Sequence, residues 1–322
     1  MTPDDTPTPV FLFTGFLGSG KTTVLARLMR RADLADTAVI VNEFGEVGLD
    51  HQLVAQGEEE SVVLLENGCL CCAVGDSLGE TLTDLYYRRE REEIPRFSRV
   101  VIETTGMADP GPILRTLIAD RVMMRRFRVA ALVTMVDGVF GAAQVARHRE
   151  AQQQVAMADR IVVTKSDVAS NEALGATEGA ARELNPRAEM FRASNGDIEP
   201  AALLASADAE RVALPQDGHA HSHSGAIETV FLSIPAPIDW AQYAGIVRML
   251  QDLLGARLLR AKGLVRIAGE EGLQVIQGVQ HMFAPPFALG RDAGERTGLV
   301  LIGEGLDRAA LLAALTPYGV AA

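Results

Sequence analysis

Short β-branched runs alternate with amphipathic stretches along the first two thirds of the chain: Val10–Thr14, Ala38–Val41, Val62–Leu65, Val100–Glu103, Val129–Val136 and Ile161–Thr164. Such alternation predicts a mostly parallel sheet covered by helices, an α/β domain over residues 10–205. Helices are expected to begin near Lys21, Ser77, Pro112, Gly141 and Asn171. The last should run to about Asn185, where Pro186 follows as a stop signal. Residues 1–9 read as a disordered tail. Residues 206–225 turn small, polar and His-containing, which marks a linker. A smaller α+β domain is expected over 226–318. In it Thr229–Ile234 reads as a strand, and Asp239 as the N-cap of a helix whose Tyr243, Ile246, Val247, Leu250, Leu253 and Leu254 share one face up to Gly255. Two or three strands within 256–302 and a helix from Asp307 complete it.

The 322 residues are 48% hydrophobic and 22% charged, ordinary globular values that exclude a wholly disordered, collagenous or coiled-coil chain. Nearly all of the net charge of −12 lies in the first 225 residues. An acidic chain is a poor nonspecific phosphate binder, so no nucleic-acid partner is expected. No apolar run approaches the roughly 18 residues of a membrane span, and the N-terminus is acidic, so no membrane association and a cytoplasmic location are expected.

Gly15-Phe-Leu-Gly-Ser-Gly-Lys21-Thr22 fits the phosphate-loop pattern G-x-x-x-x-G-K-[ST] and sits between a predicted strand and a predicted helix. Gly15, Gly18, Ser19 and Gly20 supply backbone N–H groups, Lys21 reaches the β/γ-phosphates and the Thr22 hydroxyl ligates Mg²⁺. Lysine usage sharpens the assignment. The chain has only three lysines among 30 basic residues, and Lys21 and Lys165 both fall in nucleotide motifs.

Val100-Val-Ile-Glu103 ends an apolar run in a carboxylate, as expected of a strand bringing Glu103 to the Mg²⁺. Gly106 follows, with its N–H toward the γ-phosphate. A polar strand end with no such role is the bland alternative. Ile161-Val-Val-Thr164-Lys165-Ser166-Asp167 resembles the N/T-K-x-D element that reads guanine, with Asp167 accepting from the N1–H and N2–H₂ edge. Thr164 stands where asparagine is usual, and a helix N-cap by Asp167 is the competing reading.

Cys69, Cys71 and Cys72 are too close together to staple a fold. Zn²⁺ or another borderline-soft cation, a redox role and burial as small hydrophobes are all open to them. The cluster lies between two segments that read as nucleotide-contacting loops, which favours the metal reading, and Asn42-Glu43-Phe44-Gly45-Glu46 is the first of these. His219, His221 and His223 alternate in the linker, where weak metal collection and a merely polar linker are equally open.

Taken together, GFLGSGKTT, NEFGE, ENGCLCC, ETTGMADP and TKSD, followed by LLRAKGLVRI, closely resemble the CobW-like metal-chaperone GTPases over nearly all of residues 10–315. The resemblance implies a P-loop domain, slow GTP hydrolysis, and zinc or cobalt binding coupled to nucleotide state. By motif it assigns Gly18, Ser19, Gly20, Lys21, Thr22 and Thr23 to phosphates and Mg²⁺, and Cys69, Cys71 and Cys72 to the transferred metal. Glu43 and Glu46 would couple the two sites, and Glu43 is the candidate for positioning the attacking water. It implies a client metalloenzyme or metal-insertion complex as partner, and leaves a homodimer open. The leading expectation is a GTP-dependent metallochaperone. Its rivals are a nucleotide-binding metal buffer or sensor without productive turnover, and an ATP-using enzyme such as a small kinase.

Overall fold

The computed structural model describes residues 7–31, 34, 36–41, 62–64, 70–73, 78–119, 121–205, 227–289 and 296–321, with the backbone alone at 62–64, 70–73, 119 and 121. The chain divides into two compact units, Met1–Ser206 and Ala207–Ala322.

Eight strands of the first unit, among the described residues, form one sheet: β1 (Thr8–Gly15), β2 (Thr37–Val41), β3 (Val62–Leu64), β4 (Leu70–Ala73), β5 (Arg99–Glu103), β6 (Phe127–Asp137), β7 (Arg160–Thr164) and β8 (Glu189–Arg192). Their order is β3-β4-β2-β5-β1-β6-β7-β8, and every pairing is parallel except β3–β4. The central strands are buried along almost their whole length, which explains why their sequences are apolar runs and not alternating ones. The helices are α1 (Lys21–Leu28), α2 (Leu78–Glu90), α3 (Pro110–Ala119), α4 (Arg121–Arg126), α5 (Gly141–Arg147), α6 (Arg149–Met157), α7 (Asn171–Leu184) and α8 (Pro200–Leu204). Val136, Ile161 and Val163 of β6 and β7 pack against Val145, Val155, Leu174 and Ala181 of α5, α6 and α7. This is the mostly parallel α/β fold expected.

Four elements depart from the expected pattern. The cysteine segment, predicted as no element of its own, contributes a strand at 70–73, β4, beside β2. The stretch from Gly141 is two helices, because His148 has extended backbone (φ −118°, ψ 121°) and breaks it. α3 starts at Pro110, two residues before the expected Pro112. β8 is an edge strand without an apolar run, and its partial exposure removes the signal that periodicity detects.

In the second unit, β9 (Ile227–Ser233), β10 (Leu258–Val265), β11 (Gln274–Val279), β12 (Met282–Phe283), β13 (Phe287–Ala288) and β14 (Gly298–Glu304) make an antiparallel sheet. Helices α9 (Trp240–Leu254) and α10 (Arg308–Leu315) bury Ile246, Leu250, Leu254, Leu311 and Leu315 in one cluster with Val230, Leu299 and Leu301 of the sheet. Asp239 caps α9 in a reciprocal box: its Oδ1 accepts from the Gln242 N–H at 2.7 Å, and Gln242 Oε1 accepts from the Asp239 N–H at 2.8 Å. The buried stripe of α9 is narrower than expected, since Leu253 lies on the exposed side and Met249 packs in its place.

Burial pushes the Tyr243 phenol up to about 12. A neutral phenol preferred by the fold contributes stability that is complete below the unfolded value of 10.0 and is lost as pH rises toward about 12. Tyr243→Phe is therefore expected to flatten the alkaline end of the unit's unfolding curve, as read by denaturant melts across that window.

Candidate functional site

The site lies at the C-terminal ends of β1, β5, β6 and β7, where an open α/β sheet binds ligands. β1 ends at Gly15, whose φ of 147° belongs to glycine and whose added Cβ would come within 2.3 Å of the Met135 carbonyl oxygen. The chain then turns tightly, with the Ser19 N–H donating to the Phe16 carbonyl at 3.1 Å, and enters α1 through Gly20 at φ 82°. No side chain caps that helix end. Its leading N–H groups face the loop, as phosphate binding requires.

Gly18, Ser19, Gly20, Lys21, Thr22 and Thr23 line a cavity of about 330 Å³ together with Glu103, Thr105, Gly106 and Lys165. Lys21 is buried and folds back over the loop, with Nζ donating to the Gly15 carbonyl at 2.8 Å and to that of Phe16 at 3.4 Å. The Thr22 hydroxyl donates to Glu103 Oε1 at 3.0 Å. A hydroxyl and a buried carboxylate on one cavity wall are the oxygen pair that suits Mg²⁺ beside a bound phosphate, so the residues fit that ion. Gly106 lies against the phosphate loop, since a Cβ there would sit 2.7 Å from Leu17 Cδ2 and 2.9 Å from its backbone N.

Gly15, Thr164 and Asp167 do not line this cavity. Thr164 lies buried beneath it. Its hydroxyl donates to the Ser19 carbonyl at 2.7 Å and lies 3.2 Å from that of Val136, so it ties the phosphate loop to β6 and β7. Thr104 and Thr14 add a second tie at 2.9 Å between the ends of β5 and β1. Asp167 is exposed, and its Oδ1 accepts from the Asn195 N–H at 2.7 Å. It does not cap α7; Ser170 does, accepting from Ala173 N at 3.1 Å.

Three residues escaped sequence reasoning. Asp137, buried at the end of β6, holds Lys165 Nζ at 2.7 Å and accepts from the Val139 N–H at 2.8 Å. Its signal was a carboxylate closing an apolar run and followed by Gly138. Lys165 is one of few non-glycine residues at positive φ, 55°, a strained conformation that its ion pair with Asp137 helps to hold. Asn195, in a turn after β8, orients Asp167, and the neighbouring Gly196 approaches Thr23, where a Cβ would lie 2.9 Å from Cγ2. Gln154 on α6 had no sequence signal at all.

Glu43, Glu46 and Cys69 lie outside the described residues, as do His219, His221 and His223. Cys71 and Cys72 are described by backbone only: Cys71 pairs laterally with Val39 and Val63, and Cys72 with Ile40 and Val62. Among the described residues no group of His, Cys, Asp or Glu gathers as a metal site. No helix among them is long and apolar enough to cross a membrane.

The sheet, the phosphate loop, and the Thr22–Glu103 pair define a P-loop nucleoside triphosphatase. More narrowly, the chain belongs to the CobW/HypB/UreG family: the nucleotide-binding-domain model of that family matches residues 9–192, and that of the cobalamin synthesis protein CobW C-terminal domain matches residues 227–317. The zinc chaperone YjiA of Escherichia coli is 36% identical over 283 residues, covering 86% of this chain and 88% of its own. The zinc chaperone CobW of Pseudomonas aeruginosa is 32% identical, covering 94% of this chain and 89% of its own. The crystal structure of Zn(II)-bound YjiA GTPase from E. coli superposes with a TM-score of 0.74 at 33% identity, covering 97% of this chain and 99% of that one.

Proposed function

We propose that this protein is a GTP-dependent metallochaperone that binds zinc or cobalt through Cys69, Cys71 and Cys72, with Glu43 and Glu46, and delivers it to a client metalloenzyme in the cytoplasm. The observation that carries the reading is a strand register. Ala73 of β4 pairs with Val41 of β2, and Val41 pairs with Glu103 of β5, so the cysteine strand runs level with the carboxylate at the cavity wall. Two strand spacings of about 4.8 Å separate them, roughly 10 Å in all. The segment carrying Glu43 and Glu46 begins directly after Val41. A change at the γ-phosphate thus has a short path to the thiolates. The relatives named zinc chaperones, and the zinc-bound structure of one of them, support metal as the cargo.

In this reading the phosphate loop residues Gly15–Thr23 and Gly106 hold GTP, and Thr22 and Glu103 hold Mg²⁺, which supplies charge neutralisation at the β- and γ-phosphates. Thr164 holds the phosphate loop from beneath, Lys165 lines the site, and Asp167 selects guanine. Glu43 positions the attacking water. The GTPase domain spans 10–205, the linker 206–225, and the 226–318 domain docks the client. Turnover is expected to be slow, on the order of 10⁻⁴–10⁻² per second without an arginine finger.

The test is a Zn²⁺ and Co²⁺ titration against a chromophoric chelator, run with GDP and with a non-hydrolysable GTP analogue. Metal affinity at least about tenfold tighter with the analogue, lost in Cys71→Ser, is expected, a coupling of about 1.4 kcal/mol. Equal affinity in both states would sink the chaperone cycle in favour of a metal buffer, since a nucleotide without differential affinity shifts nothing.

A further inference from the structure

The loop between β5 and α3 crosses the phosphate cavity, and its two ends are fixed by its own neighbours. At the start, the Thr104 N–H donates to the Phe13 carbonyl at 2.9 Å and its hydroxyl bonds that of Thr14. At the end, Asp109 Oδ1 accepts from the Gly111 N–H at 2.8 Å. The middle is held differently. Met107 is exposed, and on the inner side Gln154 of α6 reaches across to donate from Nε2 to the Ala108 carbonyl at 2.9 Å and to that of Gly106 at 3.3 Å. Gln154 is fully buried, and its own backbone carbonyl accepts from Thr134 Oγ1 of β6 at 2.7 Å.

The same amide is a poor choice for stability alone. Its Oε1 is buried with no hydrogen-bond partner among the described residues, a cost that an apolar side chain of similar length would not incur. What the glutamine does accomplish is to keep Gly106 close against Leu17 of the phosphate loop, on the wall of the cavity. A γ-phosphate is read by such a loop, whereas a diphosphate does not reach it.

We infer that Gln154 is a positioning residue that pre-forms the Thr105–Ala108 loop for the triphosphate and so sets how strongly the site prefers GTP over GDP. The inference rests on the nucleotide reading above. Gln154→Leu keeps the volume and removes both polar ends. In the full-length protein it is expected to weaken a non-hydrolysable GTP analogue at least about fivefold while leaving GDP within about twofold, measured by displacement of a fluorescent nucleotide. Amide hydrogen exchange across residues 104–109 is expected to rise, with a fall in melting temperature comparable to that of Thr134→Val. Thr134→Val removes the tie to the Gln154 backbone and leaves its side chain in place, so it is expected to lower the melting temperature without altering the nucleotide ratio. Gln154→Met serves as a second variant should Gln154→Leu fail to fold. Equal loss of both nucleotides, or an unchanged ratio beside a wild type that prefers guanine nucleotides, overturns the role of Gln154 alone. A wild type that binds no guanine nucleotide overturns the nucleotide reading as well.

Discussion

Lys21→Ala is expected to abolish measurable GTP turnover and to weaken nucleotide binding by roughly a hundredfold, with the fold intact by circular dichroism. The ammonium sits in a buried position over the phosphate loop, held by the carbonyls of Gly15 and Phe16. Charge-assisted hydrogen bonds from such a group contribute about 1.5–3 kcal/mol each in the ground state, a factor of roughly 10–100. A further factor of about 10²–10³ belongs to the charge that develops during phosphoryl transfer, where a pre-placed cation needs no reorganisation. Lys21→Arg is expected to fail also, since the planar fork is longer and wider than the ammonium and the loop encloses it. Phosphate release and calorimetric titration with GDP separate the two factors. Retention of both activities in Lys21→Ala would show that this loop does not hold phosphates.

Asn185→Ala is expected to be the most destabilising single change in the first unit that touches no part of the nucleotide cavity. Asn185 is buried after α7, and its Nδ2 donates to the carbonyls of Val155, Ala156 and Ala158 at 2.9, 3.0 and 2.8 Å. Its Oδ1 accepts from the N–H groups of Ala188 and Arg187 at 3.1 and 3.3 Å. One side chain thereby closes the C-terminal end of α6, where the Val155 carbonyl also accepts from the Ala158 N–H at 3.2 Å and the carbonyls beyond it lie past the helix ladder. Truncation strands these groups at about 1–3 kcal/mol each before relaxation, so a net loss of about 3–4 kcal/mol is expected. For a unit of this size that corresponds to a fall of about 6–16 °C in melting temperature. Asn185→Asp makes a sharper test. A carboxylate facing carbonyls is disfavoured, so its folded-state pKa is raised, and the stability it retains is present at acid pH and lost as pH rises. Melting curves that improve on acidification in Asn185→Asp, but not in Asn185→Ala, are the expected result.

The sequence carried the fold wherever burial is two-sided. β1, β5, β6 and β7 carry near-continuous apolar runs between their polar ends because they are buried along almost their whole length, and runs of that kind are visible without a structure. β4 was not legible, because its two cysteines draw attention to their chemistry and a four-residue strand carries no periodicity of its own. α5 and α6 read as one helix until His148, whose ring stacks on Phe16 at 4.5 Å between centroids. At the site, the phosphate loop was plain because its glycines answer to backbone geometry. Asp137, Asn195 and Gln154 act through hydrogen bonds to residues 28–48 positions away in sequence, which become visible only in three dimensions. Thr164 is the instructive case. Judged as a base-reading residue it looked like a departure, whereas its buried hydroxyl grips the phosphate loop.

That grip limits how the protein can be re-engineered. The acceptor of the Thr164 bond belongs to one motif and its donor to another, and a Cβ built on Gly20 would lie 3.4 Å from the same hydroxyl oxygen. A chimera that imports a base-reading loop from another GTPase replaces the donor but not its acceptor, and an asparagine at this position must satisfy the Ser19 carbonyl that the threonine now holds. Altering nucleotide choice by exchanging loops will therefore disturb phosphate affinity in the same stroke, and a successful exchange has to move both loops as a matched set.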